Sequence, residues 1–143
     1  MSMGLLDRFR KKSPKRNKDT GTAMERYEKS FFHAIDGIVY GIRFEHNMII
    51  ILVAAILVIV FGIFYKLSGP EWLFVITMIG TISASEMINT AVEAAIDLYT
   101  TETHPLAKIA KDTASSATLL LCITAFIGGV MIFLPKAIMM MGG

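Results

Sequence analysis

Glu86-Met87-Ile88-Asn89-Thr90-Ala91-Val92-Glu93, continued to Asp97, sets acids into an apolar segment. Immediately upstream, Trp72 to Ser85 carries no charge at all, so the run reads as membrane-embedded. A helix turns by about 100° per residue, which puts Glu86, Asn89, Glu93 and Asp97 at roughly 0°, 300°, 340° and 20° around its axis. Three carboxylates and one amide therefore share a narrow stripe. Ionised groups at membrane depth cost about 2.5–3.5 kcal/mol each even on the insertion scale, so the stripe is expected to face protein, water or a metal. A blander reading has a helix leaving the bilayer with its acids solvated. That reading suits Asp97 and Glu93 but leaves Glu86 too deep.

Composition agrees with a membrane protein. The chain has 143 residues, of which 54% are hydrophobic, and its mean hydropathy is +0.57. That is one domain's worth of chain with too much apolar surface for a soluble fold of its size. Seven of the 14 Lys and Arg fall in the first 18 residues. No aromatic interleaving or reading motif follows them, which argues against nucleic acid as a partner. The stretch 1–24 reads instead as a disordered basic arm attracted to an anionic membrane surface. Its charges run on past any plausible cleavable signal. The single cysteine, Cys122, excludes an intrachain disulfide.

Working outward from the stripe, residues 25–143 form the membrane domain, with three expected spans. Residues 47–66 form the first, whose charge-free run from Met48 to Tyr65 is long enough to cross about 30 Å of hydrocarbon. Residues 71–97 form the second, with its charge-free half first and its acidic stripe last, and 113–134 the third, which carries no charge. Lys66-Leu67-Ser68-Gly69-Pro70 is expected to turn the chain between the first two, with Tyr65 and Trp72 at aromatic-belt depth. Thr100 to Asp112 is expected as a polar loop, and Pro135-Lys136 as the close of the third span. Ahead of the spans, residues 26–43 repeat Tyr27, Phe31, Ala34, Ile35, Ile38 and Ile42 at helical spacing. This pattern predicts an amphipathic helix lying on the membrane surface. The fold class is thus all-α and integral to the membrane: one surface helix and three transmembrane helices.

Lys and Arg concentrate in the N-terminal arm and in the loop at 100–112, which predicts a cytoplasmic N-terminus and a C-terminus outside. The acidic stripe and Lys111-Asp112 then open to the cytoplasm. Glu45 lies just before the first span, at the same membrane edge as Glu93. Small residues such as Gly80, Ala84, Gly128 and Gly129 mark places where helices approach closely. Three short spans enclose little polar volume, so the site is expected to be completed at a subunit interface.

Two carboxylates can hold Mg²⁺, which prefers oxygen ligands and nucleotide phosphates. A third, desolvated carboxylate can take a proton from a hydroxyl, and a lysine can neutralise phosphate. Together these parts would serve phosphoryl transfer from ATP to a membrane lipid alcohol. Neither a Walker-type Gly-Lys loop nor the protein-kinase motif set occurs. A small multidrug-type transporter also uses a membrane Glu, but it has four spans and no cytoplasmic Lys-Asp edge.

The run Glu86-x-x-Asn89-Thr90-Ala91-x-Glu93-x-x-x-Asp97, followed by His104-Pro105-Leu106-Ala107-Lys108-Ile109-Ala110-Lys111-Asp112, resembles the small integral-membrane kinases of the prokaryotic diacylglycerol kinase family. The resemblance extends from about Arg26 to Lys136. Glu45-His46-Asn47 and the His104 to Asp112 run are closer to the Gram-positive branch, which implies undecaprenol as the lipid and undecaprenyl phosphate for the cell envelope as the product. Diacylglycerol, giving phosphatidic acid, is the Gram-negative alternative.

The resemblance also implies roles. Glu86 would be the catalytic base, with Asn89 ordering its surroundings, and Glu45 and Glu93 would hold Mg²⁺. ATP would be met by Arg26, His33, Glu45, Glu93, Glu102, Thr103, His104, Lys111 and Asp112. Arg26, Glu86 and Asp97 would meet the lipid. The family resemblance further implies a homotrimer in a bacterial plasma membrane, with its active sites between subunits.

Overall fold

The computed structural model describes residues 22–99 and 104–142. Four helices follow one another: α1 (Ala23–Phe44), α2 (His46–Phe64), α3 (Gly69–Tyr99) and α4 (Pro105–Met141). No strand occurs among the described residues. The chain divides into two compact units, one ending at Asp36 and the other starting at Gly37. The basic arm expected at 1–24 lies outside the described residues except for its last three positions.

Within the first unit, α1 begins at Ala23, earlier than the surface helix expected at 26–43. A reciprocal cap explains the earlier start. Thr22 N–H donates to Glu25 Oε2 at 3.0 Å and Glu25 N–H donates to Thr22 Oγ1 at 3.3 Å, so two of the orphan amides of the first turn are satisfied.

The second unit holds the three long apolar helices, each long and apolar enough to cross a membrane. At about 1.5 Å per residue, the 19 residues of α2 cover about 28 Å and the 37 of α4 about 55 Å. α2 ends in a Schellman motif: Leu67 N–H reaches Gly62 O at 3.0 Å and Lys66 N–H reaches Ile63 O at 3.2 Å. Lys66 takes the left-handed position, φ 50°, that such a cap usually gives to glycine. Gly62 is required there, since a Cβ at that position would stand 2.9 Å from the Trp72 ring.

The turn expected at 66–70 is shorter than the Gly-Pro pair suggested. Gly69 and Pro70 already belong to the first turn of α3, where a missing amide hydrogen costs nothing. Ser68 caps that turn. Its N–H and its hydroxyl both donate to Glu71 Oε2 at 2.7 Å, and the same oxygen meets Lys136 Nζ of α4 at 3.1 Å.

The third span differs most from expectation. The segment expected as loop up to Asp112 is helical from Pro105 on, because His104 caps it by accepting from Leu106 N–H at 3.2 Å on Nδ1. Pro105 stands at the position after the cap, the one helical position that suits it. Pro135 does not close the helix, which continues to Met141. Proline within a membrane helix is tolerated where neighbouring groups re-satisfy the backbone, and the Lys136–Glu71 pair holds this segment against α3.

α3 is the central element, packing against both α2 and α4. On the α4 side, the Phe74 ring lies in the space that a side chain at Gly128 would need. Between the three helices sits a cavity of about 630 Å³, lined by apolar groups that include Ala55, Phe74, Ile79, Cys122 and Phe133. Among the described residues only Met48, Ala55, Leu67 and Val75 form a buried apolar core, while residues such as Leu73, Ile76, Leu120 and Phe126 stay exposed. Exposed apolar flanks on this scale are what a lipid environment, rather than water, accommodates.

Candidate functional site

α3 carries the acidic stripe as a gradient of burial. Glu86 is 3% exposed and Asn89 4%, Glu93 is half-buried, and Asp97 is exposed. The helical spacing of the sequence produces this gradient directly: the stripe starts against neighbouring helices and ends where α3 leaves them. Among the described residues the Glu86 carboxyl makes no hydrogen bond or ion pair. Asn89 Nδ2 donates to Glu93 Oε1 at 3.0 Å, one turn further along. Asn89 Oδ1 is buried with no partner. A buried polar atom without a partner costs free energy, and native sites that keep one usually reserve it for a ligand or an ion.

Glu45 is the single residue between α1 and α2, extended at φ −99° and ψ 114°, half-buried, and its side chain makes no capping bond. Two neighbours dock this joint onto α3. The terminal methyl groups of Met48 and Met87 lie 3.7 and 4.0 Å from where a Cβ on the buried Gly41 would stand. Met87 follows Glu86 directly, so the Gly41 turn of α1 comes close to α3 beside the buried turn of the stripe.

At the exposed end, Lys111 Nζ on α4 bonds Asp97 Oδ1 of α3 at 2.5 Å. The two side chains are 35% and 62% exposed, so water screens the pair and it contributes little to stability. Asp112 is exposed beside it on α4. His104, read from the sequence as a nucleotide contact, spends its Nδ1 on the helix cap and leaves Nε2 as its remaining polar atom. Arg26 and His33 are exposed on the part of α1 that belongs to the first unit. Glu102 and Thr103 lie outside the described residues.

Sequence reading missed three features. Ser85 Oγ and Thr118 Oγ1 lie 3.0 Å apart across α3 and α4, and nothing in their spacing announced it. The Glu71–Lys136 pair joins residues that had been read only as span boundaries. The Met87–Gly41–Met48 contact was also hidden, although a glycine on an otherwise bulky helix face is the kind of signal that marks such an approach.

No group of three or more His, Cys, Asp or Glu side chains gathers as a metal site among the described residues. The donors present are hard oxygens: Glu45, Glu93 and the unpartnered Asn89 Oδ1. That set fits Mg²⁺, which is commonly held by one or two carboxylates plus substrate phosphates rather than by an all-protein cage.

Comparison with known proteins bears on this arrangement. The undecaprenol kinase of Bacillus subtilis is 40% identical over 120 residues, covering 84% of this chain and 98% of that one. The diacylglycerol kinase of Helicobacter pylori strain J99 is 37% identical over 106 residues, 73% of this chain and 83% of its own. The diacylglycerol kinase of Synechocystis is 32% identical over 113 residues, 78% of this chain and 65% of its own. A lipid-kinase assignment removes the transporter alternative. Residues 32–133 match the prokaryotic diacylglycerol kinase family, and with the three apolar spans and the acidic stripe on α3 this chain belongs to that family of multi-pass membrane lipid kinases.

Proposed function

We propose that this kinase moves the γ-phosphate of ATP onto the terminal hydroxyl of undecaprenol at the cytoplasmic face of a bacterial plasma membrane. The observation that carries the reading is the Glu86 carboxyl, 3% exposed and without a partner among the described residues, three residues from an equally buried Asn89 whose Oδ1 is unpaired among them. A carboxylate kept out of water is suited to accept a hydroxyl proton as that oxygen attacks phosphorus. Asn89 orients Glu93 through its Nδ2 bond. Glu45 and Glu93 would hold Mg²⁺, whose charge neutralises phosphate oxygens when it is bound.

In the same reading Lys111, Asp112, His104, Glu102, Thr103, Arg26 and His33 would serve in binding the nucleotide. Arg26 and Asp97, with Glu86, would serve the lipid headgroup. Undecaprenol is favoured over diacylglycerol because the relative named for it is 40% identical and is spanned over 98% of its length. The diacylglycerol kinases at 37% and 32% identity support the second reading. The wide exposed apolar flanks of α2 and α4 support a homotrimer in which subunits complete one another's sites. The N-terminus is then cytoplasmic and the C-terminus outside.

The test is transfer of γ-labelled phosphate from ATP to undecaprenol by the purified protein in mixed micelles, with and without a Mg²⁺ chelator. Label in the lipid only when Mg²⁺ is available is the expected result. Absence of lipid label at every Mg²⁺ concentration would overturn the proposal.

A further inference from the structure

Within α3 and α4, hydroxyl groups bond in two different ways. Thr81 donates to Thr77 O at 2.6 Å, Ser116 to Thr113 O at 2.8 Å and Thr124 to Leu120 O at 2.9 Å, each on its own helix. That is how a hydroxyl on a membrane helix ordinarily satisfies itself. Ser85 and Thr118 instead bond each other across the helices at 3.0 Å. Thr118 is 8% exposed and is the only buried residue of α4. Ser85 precedes Glu86 in sequence and stands one helical turn before Asn89, which stands one turn before Glu93. At about 100° per residue, Ser85, Asn89 and Glu93 form a single ridge with Glu86 on its flank.

We propose that Ser85 and Thr118 are positioning residues for phosphoryl transfer: their bond sets the rotation of α3 against α4 and thereby holds Glu86 and the Asn89–Glu93 pair in reacting geometry. This rests on the reading of Glu86 as the base. The other side-chain links between α3 and α4 cannot do this work. Glu71–Lys136 lies at the opposite end of α3, and Asp97–Lys111 is exposed and screened by water. Phe74 against Gly128 fixes close approach more than three helical turns away from Glu86. Among the described residues only the hydroxyl pair is directional, part-buried through Thr118 and adjacent to the buried acids. Hydrogen bonds between membrane helices add little to stability, whereas a displacement of about 1 Å at a reacting centre can cost about 10²-fold in rate. The bond therefore matters more to turnover than to folding.

The experiment compares Ser85→Ala, Thr118→Val, the double variant and Thr118→Ser, purified in detergent, for kcat, for KM of ATP and lipid, and for thermal midpoint. Thr118→Val keeps the shape and removes the hydroxyl. The proposal expects kcat to fall about 10-fold or more in both single variants, with KM for ATP within about two-fold and the midpoint nearly unchanged. The double variant should be no worse than either single one, and Thr118→Ser should restore the rate. Full kcat in Thr118→Val, a loss that tracks the folded fraction, or multiplying effects in the double variant would each overturn it. Glu86→Gln, assayed alongside, separates the two claims. An inactive Glu86→Gln with a fully active Thr118→Val removes only the positioning role, while an active Glu86→Gln removes the base itself.

Discussion

Replacing Glu86 by Gln should push activity and stability in different directions. Gln has nearly the same shape, so the substitution opens no cavity beside the 3%-exposed carboxyl. What disappears is the ability to accept a proton. Loss of general base catalysis is worth about 10²–10⁴-fold, or about 2.7–5.4 kcal/mol on the barrier at about 1.36 kcal/mol per factor of ten. The carboxyl has no internal partner among the described residues, so no hydrogen bond or ion pair is broken and an ionisable group leaves the membrane interior. Thermal stability should therefore be unchanged or slightly raised. Turnover is read from label transfer at saturating ATP and lipid. Folding is read from the fluorescence of Trp72, the single tryptophan of the chain, which packs over Gly62 at the turn between α2 and α3. A variant that keeps more than about half of the activity would take Glu86 out of the mechanism. One that loses activity only because it no longer folds would show that the carboxyl is structural.

Three further expectations follow from the same geometry. Glu45→Gln and Glu93→Gln should each raise the Mg²⁺ concentration needed for half-maximal rate, since each replaces a charged carboxylate by a neutral amide; unchanged titration curves in both would leave them as ordinary interfacial acids. Lys111→Ala breaks a screened ion pair, so stability should move by less than about 1 kcal/mol while KM for ATP rises; an unchanged KM would leave Lys111 as a partner of Asp97 alone. Gly128→Ala places a methyl group against the Phe74 ring, 2.6 Å from Cε1, and such overpacking should cost about 1–3 kcal/mol in thermal or denaturant unfolding, relieved by Phe74→Leu.

Much of the architecture was legible because burial in lipid leaves a coarse signal. Apolar runs set the three spans, and the angular spacing of Glu86, Asn89, Glu93 and Asp97 put them on one stripe. The depth of Glu86 in the apolar run, against the outer place of Asp97, matched their burial and exposure. Helix ends were less legible because local hydrogen bonds decide them. The Thr22–Glu25 box started α1 early, Gly69-Pro70 opened α3 instead of closing a turn, and the His104 cap brought residues from Pro105 on into α4. Pro135-Lys136, expected to close the third span, instead lies inside α4, where Lys136 pairs with Glu71 of α3. The Ser85–Thr118 bond was invisible for another reason. Hydroxyls 33 residues apart show no periodicity, and only the packing of α3 on α4 brings them together.

The most direct test of the central claim is kcat/KM for undecaprenol and for diacylglycerol, measured at matched surface concentration in the same micelles, with Glu86→Gln as the blank. The account predicts Mg²⁺-dependent transfer to both hydroxyls, with undecaprenol clearly preferred and both rates abolished in the blank. A slim allylic alcohol can reach a base set beside Asn89, whereas diacylglycerol must bring two ester-bearing arms past the same helices. Diacylglycerol winning the comparison would contradict the substrate assignment, and equal rates in wild type and Glu86→Gln would contradict the site itself.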